Sequence, residues 1–62
     1  MRVLVTGGRG YIGSQLIRYL NIYQPRWSVM SYDIVDGQDI MDQKTLDAEM
    51  VKFYPDVVVH LA

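Results

Sequence analysis

Residues 5–14 read Val-Thr-Gly-Gly-Arg-Gly-Tyr-Ile-Gly-Ser, which sets Gly7, Gly10 and Gly13 three apart behind the apolar run RVLVT at 2–6. A sharp passage from strand to helix needs backbone angles open mainly to glycine, and Gly7 supplies them. Gly10 has no Cβ, so a bulky anion can approach the main chain closely. Gly13 falls within the following helix on the face toward the sheet, where a side chain would hold the two apart. Amides at the helix start, around Tyr11 and Ile12, are unpaired and sit at the positive end of the helix dipole. A pyrophosphate fits these features. The spacing is G-x-x-G-x-x-G, not G-x-G-x-x-G, although Gly8-Arg9-Gly10-Tyr11-Ile12-Gly13 contains the second register. No Gly-Lys-Ser/Thr follows, so the loop is not a P-loop. The competing reading is that these glycines only permit a tight turn and close helix packing.

A carboxylate stands where such a site expects one. Asp33 lies 20 residues beyond Gly13, at the end of a second strand, placed to bond the adenosine ribose hydroxyls. Its alternative role is a solvated aspartate ending a strand; with the glycine loop at this separation the ribose role is favoured. A carboxylate there repels a 2′-phosphate, which favours NAD over NADP. Arg9 either pairs with that phosphate or is a solvated loop arginine, and both readings stand.

Groups for proton transfer are scarce. None of the five tyrosines, Tyr11, Tyr19, Tyr23, Tyr32 and Tyr54, has a lysine four residues on. His60 is the only histidine and reads as part of a strand end, so no catalytic residue is assigned. Without cysteine there is neither a disulfide nor a thiolate metal site, and no metal ligands are assigned.

The elements that must position these residues follow from apolar period. Residues 2–6 form a β-branched run of the kind found in buried parallel strands. Ile12, Leu16 and Leu20 fall four apart beside Gly13 and Ile17, which predicts a helix fading near Asn21 to Gln24, ahead of Pro25. Residues 27–32 alternate as a second strand. Residues 33–41 predict a loop with a scrap of strand near Asp39 and Ile40. Asp42 is placed to cap a second helix carrying Leu46, Met50 and Phe53. Pro55 ends that helix, and 56–62 (DVVVHLA) predict a third strand with its valines buried on both faces. The fold class expected is α/β, a parallel sheet of three main strands with two helices.

Composition narrows the function. Half of the residues are hydrophobic, 21% are charged and the net charge is −1, as in a small globular piece. Six Lys and Arg are spread thinly, with no basic stripe for nucleic acid. No apolar run approaches the roughly 20 residues that span a bilayer, and the N-terminus is too short in apolar residues for a signal peptide. A soluble, cytoplasmic protein is expected.

The chain resembles the extended short-chain dehydrogenase/reductase family, the nucleotide-sugar epimerases, dehydratases and reductases. The family start T-G-G-x-G-F/Y-I-G is matched by Thr6 to Gly13, its Asp-Ile/Leu pair by Asp39-Ile40, and its P-D-x-V-x-H-L-A signature by Pro55-Asp56, Val58 and His60-Leu61-Ala62. The short step from Asp33 to Asp39 is similar to the dTDP-4-dehydrorhamnose reductase branch. This resemblance implies a partial Rossmann-type sheet, with residues 1–62 the N-terminal part of an NAD(P)-binding domain. It implies cofactor contacts at Gly7, Arg9, Gly10, Tyr11, Ile12, Gly13, Asp33, Asp39, Ile40, Leu61 and Ala62. The cofactor is NAD or NADP, with NAD favoured, and the parent enzyme moves a hydride to or from a nucleotide-linked sugar. Family members carry a Tyr-x-x-x-Lys beyond this point, so the 62 residues alone are expected to be inactive, a fragment of a longer enzyme. The alternative is a small non-catalytic nucleotide-binding or dimerising module. In either case the bare apolar edge of the third strand is open to a second copy.

Overall fold

The computed structural model describes residues 1–62 throughout. Three strands, β1 (Arg2–Thr6), β2 (Ser28–Tyr32) and β3 (Val57–His60), form one parallel sheet in the order β2-β1-β3. Helix α1 (Tyr11–Tyr23) crosses from β1 to β2. A 3₁₀ turn (Ile34–Asp36) and helix α2 (Gln43–Phe53) lead back to β3. This is the α/β Rossmann-like arrangement that the alternation of elements predicts. Thr6 is in register with both Tyr32 and His60, so all three strands end at one level. Strand order reverses at β1, since the chain leaves toward β2 and returns on the other side as β3. In open α/β sheets the ligand crevice forms at the carboxyl ends beside such a reversal.

The central strand carries the core. Val3, Leu4, Val5 and Thr6 are all buried, and of the rest of the sheet Tyr32 joins them. A run without alternation suits a strand covered on both faces. β3 has a similar run but a different setting. Val57 is 39% and Val58 43% exposed, which corrects the expectation of valines buried on both faces. The reason is cover: helix α1 lies over β1 and β2, not over the edge strand β3. The expected scrap of strand at Asp39 and Ile40 is also absent. Asp39 instead folds the chain locally, its carboxylate accepting from the Met41 amide at 2.9 Å and its carbonyl from the Asp42 amide at 3.0 Å. Such an Asx turn satisfies the backbone that a strand partner would otherwise have to serve.

Helix α1 places Leu16, Ile17 and Leu20 half-buried, while Ile12, expected on the same stripe, is 68% exposed. Its first turn projects past the sheet's carboxyl edge, so Ile12 lines a surface cleft with Gly10 and Leu61. The helix ends at Tyr23, before Pro25, with the Gln24 amide donating to the Leu20 carbonyl. Asp42 caps α2 as expected, accepting from the Thr45 amide at 3.2 Å and from its hydroxyl at 2.7 Å. Tyr54 closes α2 in the left-handed region (φ 54°), one residue before Pro55. Arg2 fastens that end to the sheet. Its amide donates to Asp56 at 2.7 Å and its Nε to the Phe53 carbonyl at 2.6 Å, with the guanidinium 4.6 Å from the centre of the Phe53 ring.

Gly13 is the one fully buried residue of α1. A Cβ there would collide with the Gly7 carbonyl oxygen and lie 2.8 Å from the Gly8 Cα. At Gly13 the helix therefore meets the main chain of the glycine loop, while the rest of α1 lies over β1 and β2. Gly13→Ala is expected to lower the unfolding free energy by about 1–3 kcal/mol, read from a urea titration. Ser31 offers the opposite case. Its hydroxyl is buried against Gly8 and has no hydrogen-bond partner. Deleting an unpaired buried hydroxyl removes a desolvation penalty, so Ser31→Ala is expected to leave the urea midpoint unchanged or raise it.

Candidate functional site

The glycine loop is built from main-chain bonds. The Gly7 amide donates to the Tyr32 carbonyl at 2.9 Å, and the Gly7 carbonyl accepts from the Gly10 amide at 3.1 Å. Gly7 takes φ +70°, the conformation that the sharp exit from β1 requires. Gly10 caps α1 without a side-chain bond, and the first helical bond runs from the Ser14 amide to the Gly10 carbonyl at 2.9 Å. The amides of Tyr11, Ile12 and Gly13 precede that bond and lie outside the helical ladder. A Cβ at Gly10 would meet only the Gly7 carbonyl oxygen, at 3.3 Å, so this corner is open where an anion would sit.

Two adjoining clefts share Gly7. One, of about 290 Å³, is lined by Gly7, Gly10, Tyr11, Ile12, Gly13 and Leu61. The other, of about 310 Å³, is lined by Gly7, Tyr32, Asp33, Ile34, Gln38, Asp39, Ile40 and Ala62. Of the eleven residues named from the sequence, these clefts gather all but Arg9. Both lie at the carboxyl ends of the strands. No group of His, Asp and Glu is arranged to hold a metal ion, and no helix is long and apolar enough to cross a membrane.

Asp33 is buried, and its carboxylate is already engaged. One oxygen accepts from the Arg9 amide at 2.9 Å, the other from the Val35 amide at 2.9 Å. Its own amide donates to the Gln38 side-chain oxygen at 3.1 Å. The amide bond from Val35 first, then that from Arg9, holds the Asp33 carboxyl below the usual aspartate range, against the opposing effect of burial. Asp33 thus ties the end of β2 to the glycine loop. A carboxylate offers about four lone-pair positions, so both oxygens keep capacity for a further donor from the cleft.

Arg9 is not among the residues lining either cleft. Its guanidinium meets the Asp36 carboxylate at 2.8 Å, with both side chains substantially exposed. This partner was not among the sequence readings, and nothing in the local pattern at 36 distinguishes it from its neighbouring acids. Tyr32 reaches under the second cleft, its hydroxyl donating to the Asp39 carbonyl at 3.4 Å. Burial, followed by the charges of Asp42, Glu49 and Asp39, pushes the Tyr32 phenol above its ordinary value.

A parallel sheet with a glycine turn at its strand reversal and an acid at the next strand end is a Rossmann-like α/β arrangement. The sequence model of the NAD dependent epimerase/dehydratase family matches residues 3–62, and the chain belongs to that family, within the extended short-chain dehydrogenases/reductases. It is 36% identical to a probable dTDP-glucose 4,6-dehydratase of Sinorhizobium fredii, over all of this chain and 23% of the relative. It is 36% identical to a GDP-6-deoxy-D-talose 4-dehydrogenase of Aggregatibacter actinomycetemcomitans, over all of this chain and 21% of the relative. A dTDP-glucose 4,6-dehydratase of Neisseria gonorrhoeae is 35% identical over 97% of this chain and 23% of its own. The chain therefore spans less than a quarter of the length of these relatives. No solved structure matches at the significance these relatives reach.

The Asp33 network sets an acid dependence. A carboxylate whose native pKa lies below its unfolded value, about 4, contributes stability above that value. The contribution is lost as pH falls through the native pKa, because the unfolded chain takes up its proton first. Thermal midpoints are expected to fall steadily below about pH 4, and Asp33→Asn is expected to flatten that fall while lowering the midpoint at pH 7.

Proposed function

We propose that residues 1–62 form the N-terminal part of an NAD(P)-binding Rossmann domain in an enzyme acting on a nucleotide-linked sugar. The observation that carries this reading is the pair of clefts meeting at Gly7. The first presents the free amides of Tyr11, Ile12 and Gly13 beside the open corner at Gly10. This suits a pyrophosphate, whose charge the helix dipole favours. The second brings Asp33, Asp39 and Ile40 together for the adenosine half, with Leu61 and Ala62 forming the wall toward β3. Bound there, a nicotinamide cofactor would supply hydride transfer. This chain's own part is to hold the pyrophosphate and the ribose.

NAD is the preferred form in this reading. An ionised Asp33 repels a 2′-phosphate, and the cation beside it, Arg9, is already paired with Asp36. Proton transfer falls to residues outside 1–62, since no tyrosine here has a lysine four positions on. A second reading, a small module that pairs with its own copy, draws support from the exposed valines of edge strand β3.

Isothermal titration with NAD and with NADP tests the proposal. Heat with NAD, and at least tenfold weaker binding of NADP, are expected from one buried repulsive contact. Gly10→Val is expected to abolish binding while keeping the unfolding free energy from urea titration within about 1 kcal/mol of the parent's. Binding by Gly10→Val equal to the parent's removes the pyrophosphate from this corner. A folded chain that gives no heat with millimolar NAD, yet sediments as a dimer, favours the pairing module.

A further inference from the structure

The Thr6 hydroxyl makes a set of contacts that the cofactor reading leaves unused. It lies 2.8 Å from His60 Nδ1, 3.1 Å from the Leu61 amide, and 3.5 Å from both the Ala62 amide and the Val59 carbonyl. Thr6 itself is buried. A hydroxyl has one proton and two lone pairs. The two amides can only donate, so they take the lone pairs, and the proton must go to an acceptor. The nearer acceptor is His60 Nδ1, far closer than the Val59 carbonyl. In this contact Nδ1 is the acceptor, a role that belongs to the tautomer with its proton on Nε2.

This arrangement bears on the wall of the clefts. The Leu61 amide is shared between the Thr6 carbonyl and hydroxyl, both at 3.1 Å, whereas the Ala62 amide has the hydroxyl alone. The peptide so held lies directly on Gly7. A Cβ at Gly7 would come within 3.0 Å of the Ala62 nitrogen and 3.1 Å of the Leu61 carbonyl carbon. Gly7 and Leu61 line one cleft, and Gly7 and Ala62 the other.

We propose that His60, acting through the Thr6 hydroxyl, is a positioning residue that sets the Leu61–Ala62 main chain as the wall of the cofactor cleft. What the cleft receives rests on the cofactor reading above. By taking the hydroxyl proton, Nδ1 aims both oxygen lone pairs at the two amides. An imidazole protonated at Nδ1 would compete for one of those lone pairs and free the Ala62 amide.

His60 is the only histidine, so long-range ¹H–¹⁵N NMR reads its tautomer without ambiguity. Amide exchange at Leu61 and Ala62 reads the wall, and exchange at Leu4 and Val5 in the buried central strand reports whether the sheet persists. An NAD titration of the same samples reads binding. The parent is expected to show an unprotonated Nδ1 at neutral pH. His60→Phe keeps a ring but no acceptor. It is expected to speed exchange at Leu61 and Ala62 about tenfold, and to weaken NAD about tenfold, with Leu4 and Val5 unchanged; that is the worth of one hydrogen bond. His60→Asn, whose Oδ1 can stand in for Nδ1, is expected to restore both. A proton on Nδ1 in the parent overturns the proposal, as does a His60→Phe variant with parental exchange, or a His60→Asn variant no better than His60→Phe. A parent that fails to bind NAD overturns the cofactor reading instead, and exchange at Leu61 and Ala62 still decides the positioning.

Discussion

The contact of Gly13 with the Gly7 carbonyl and the Gly8 Cα is the constraint on which this architecture turns. It brings the first turn of α1 down onto main chain with no side chain between. That closeness leaves the helix's leading amides at the mouth of the cleft, near the strand ends, instead of a side chain's length away. Gly8 fits the same corner from the other side, wedged against Ser31 and Ile17. Three glycines thus do different jobs: Gly7 makes the bend, Gly8 and Gly13 permit the packing. Gly10 is the least crowded glycine of the loop, a Cβ there meeting only the Gly7 carbonyl oxygen at 3.3 Å, which is why its openness speaks most directly to a ligand.

Around that corner the structure is held by side chains accepting from main chain. Asp33 joins the end of β2 to the loop through the Arg9 amide and orders the 3₁₀ turn through the Val35 amide. Thr6 does the equivalent for the end of β3. Both are buried polar residues at strand termini, and both are satisfied, as buried polar groups must be if they are not to destabilise the fold. The exposed Arg9–Asp36 pair adds little by comparison, since such pairs contribute at most about 1 kcal/mol.

Much of this was legible in the sequence because it is local. Apolar period gave the elements to within a residue or two, Asp42 announced its helix through the capping pattern, and Pro25 and Pro55 marked where helices stop. The glycine spacing and Asp33 pointed to the clefts for the same reason, being tied to the turn beside each strand. Long-range facts were not legible. Asp33 reaches an amide 24 positions earlier and Thr6 a histidine 54 positions later, and neither separation leaves a periodic trace. The valines of β3 looked like a buried strand because composition records apolar character, not which neighbours arrive to cover it. At Asp39 a short polar side chain closing its own turn outcompeted a strand that had no partner.

Tyr32 and Asp33 are consecutive, yet they respond to opposite ends of the pH scale. Tyr32 is buried and its phenol is held protonated beyond its normal range, so its contribution persists below about pH 10 and is lost as the solution becomes more alkaline. Tyr11, Tyr19, Tyr23 and Tyr54, by contrast, are all exposed. One peptide bond at the end of β2 therefore joins the group that guards the fold against base to one of the two, with Asp42, that guard it against acid.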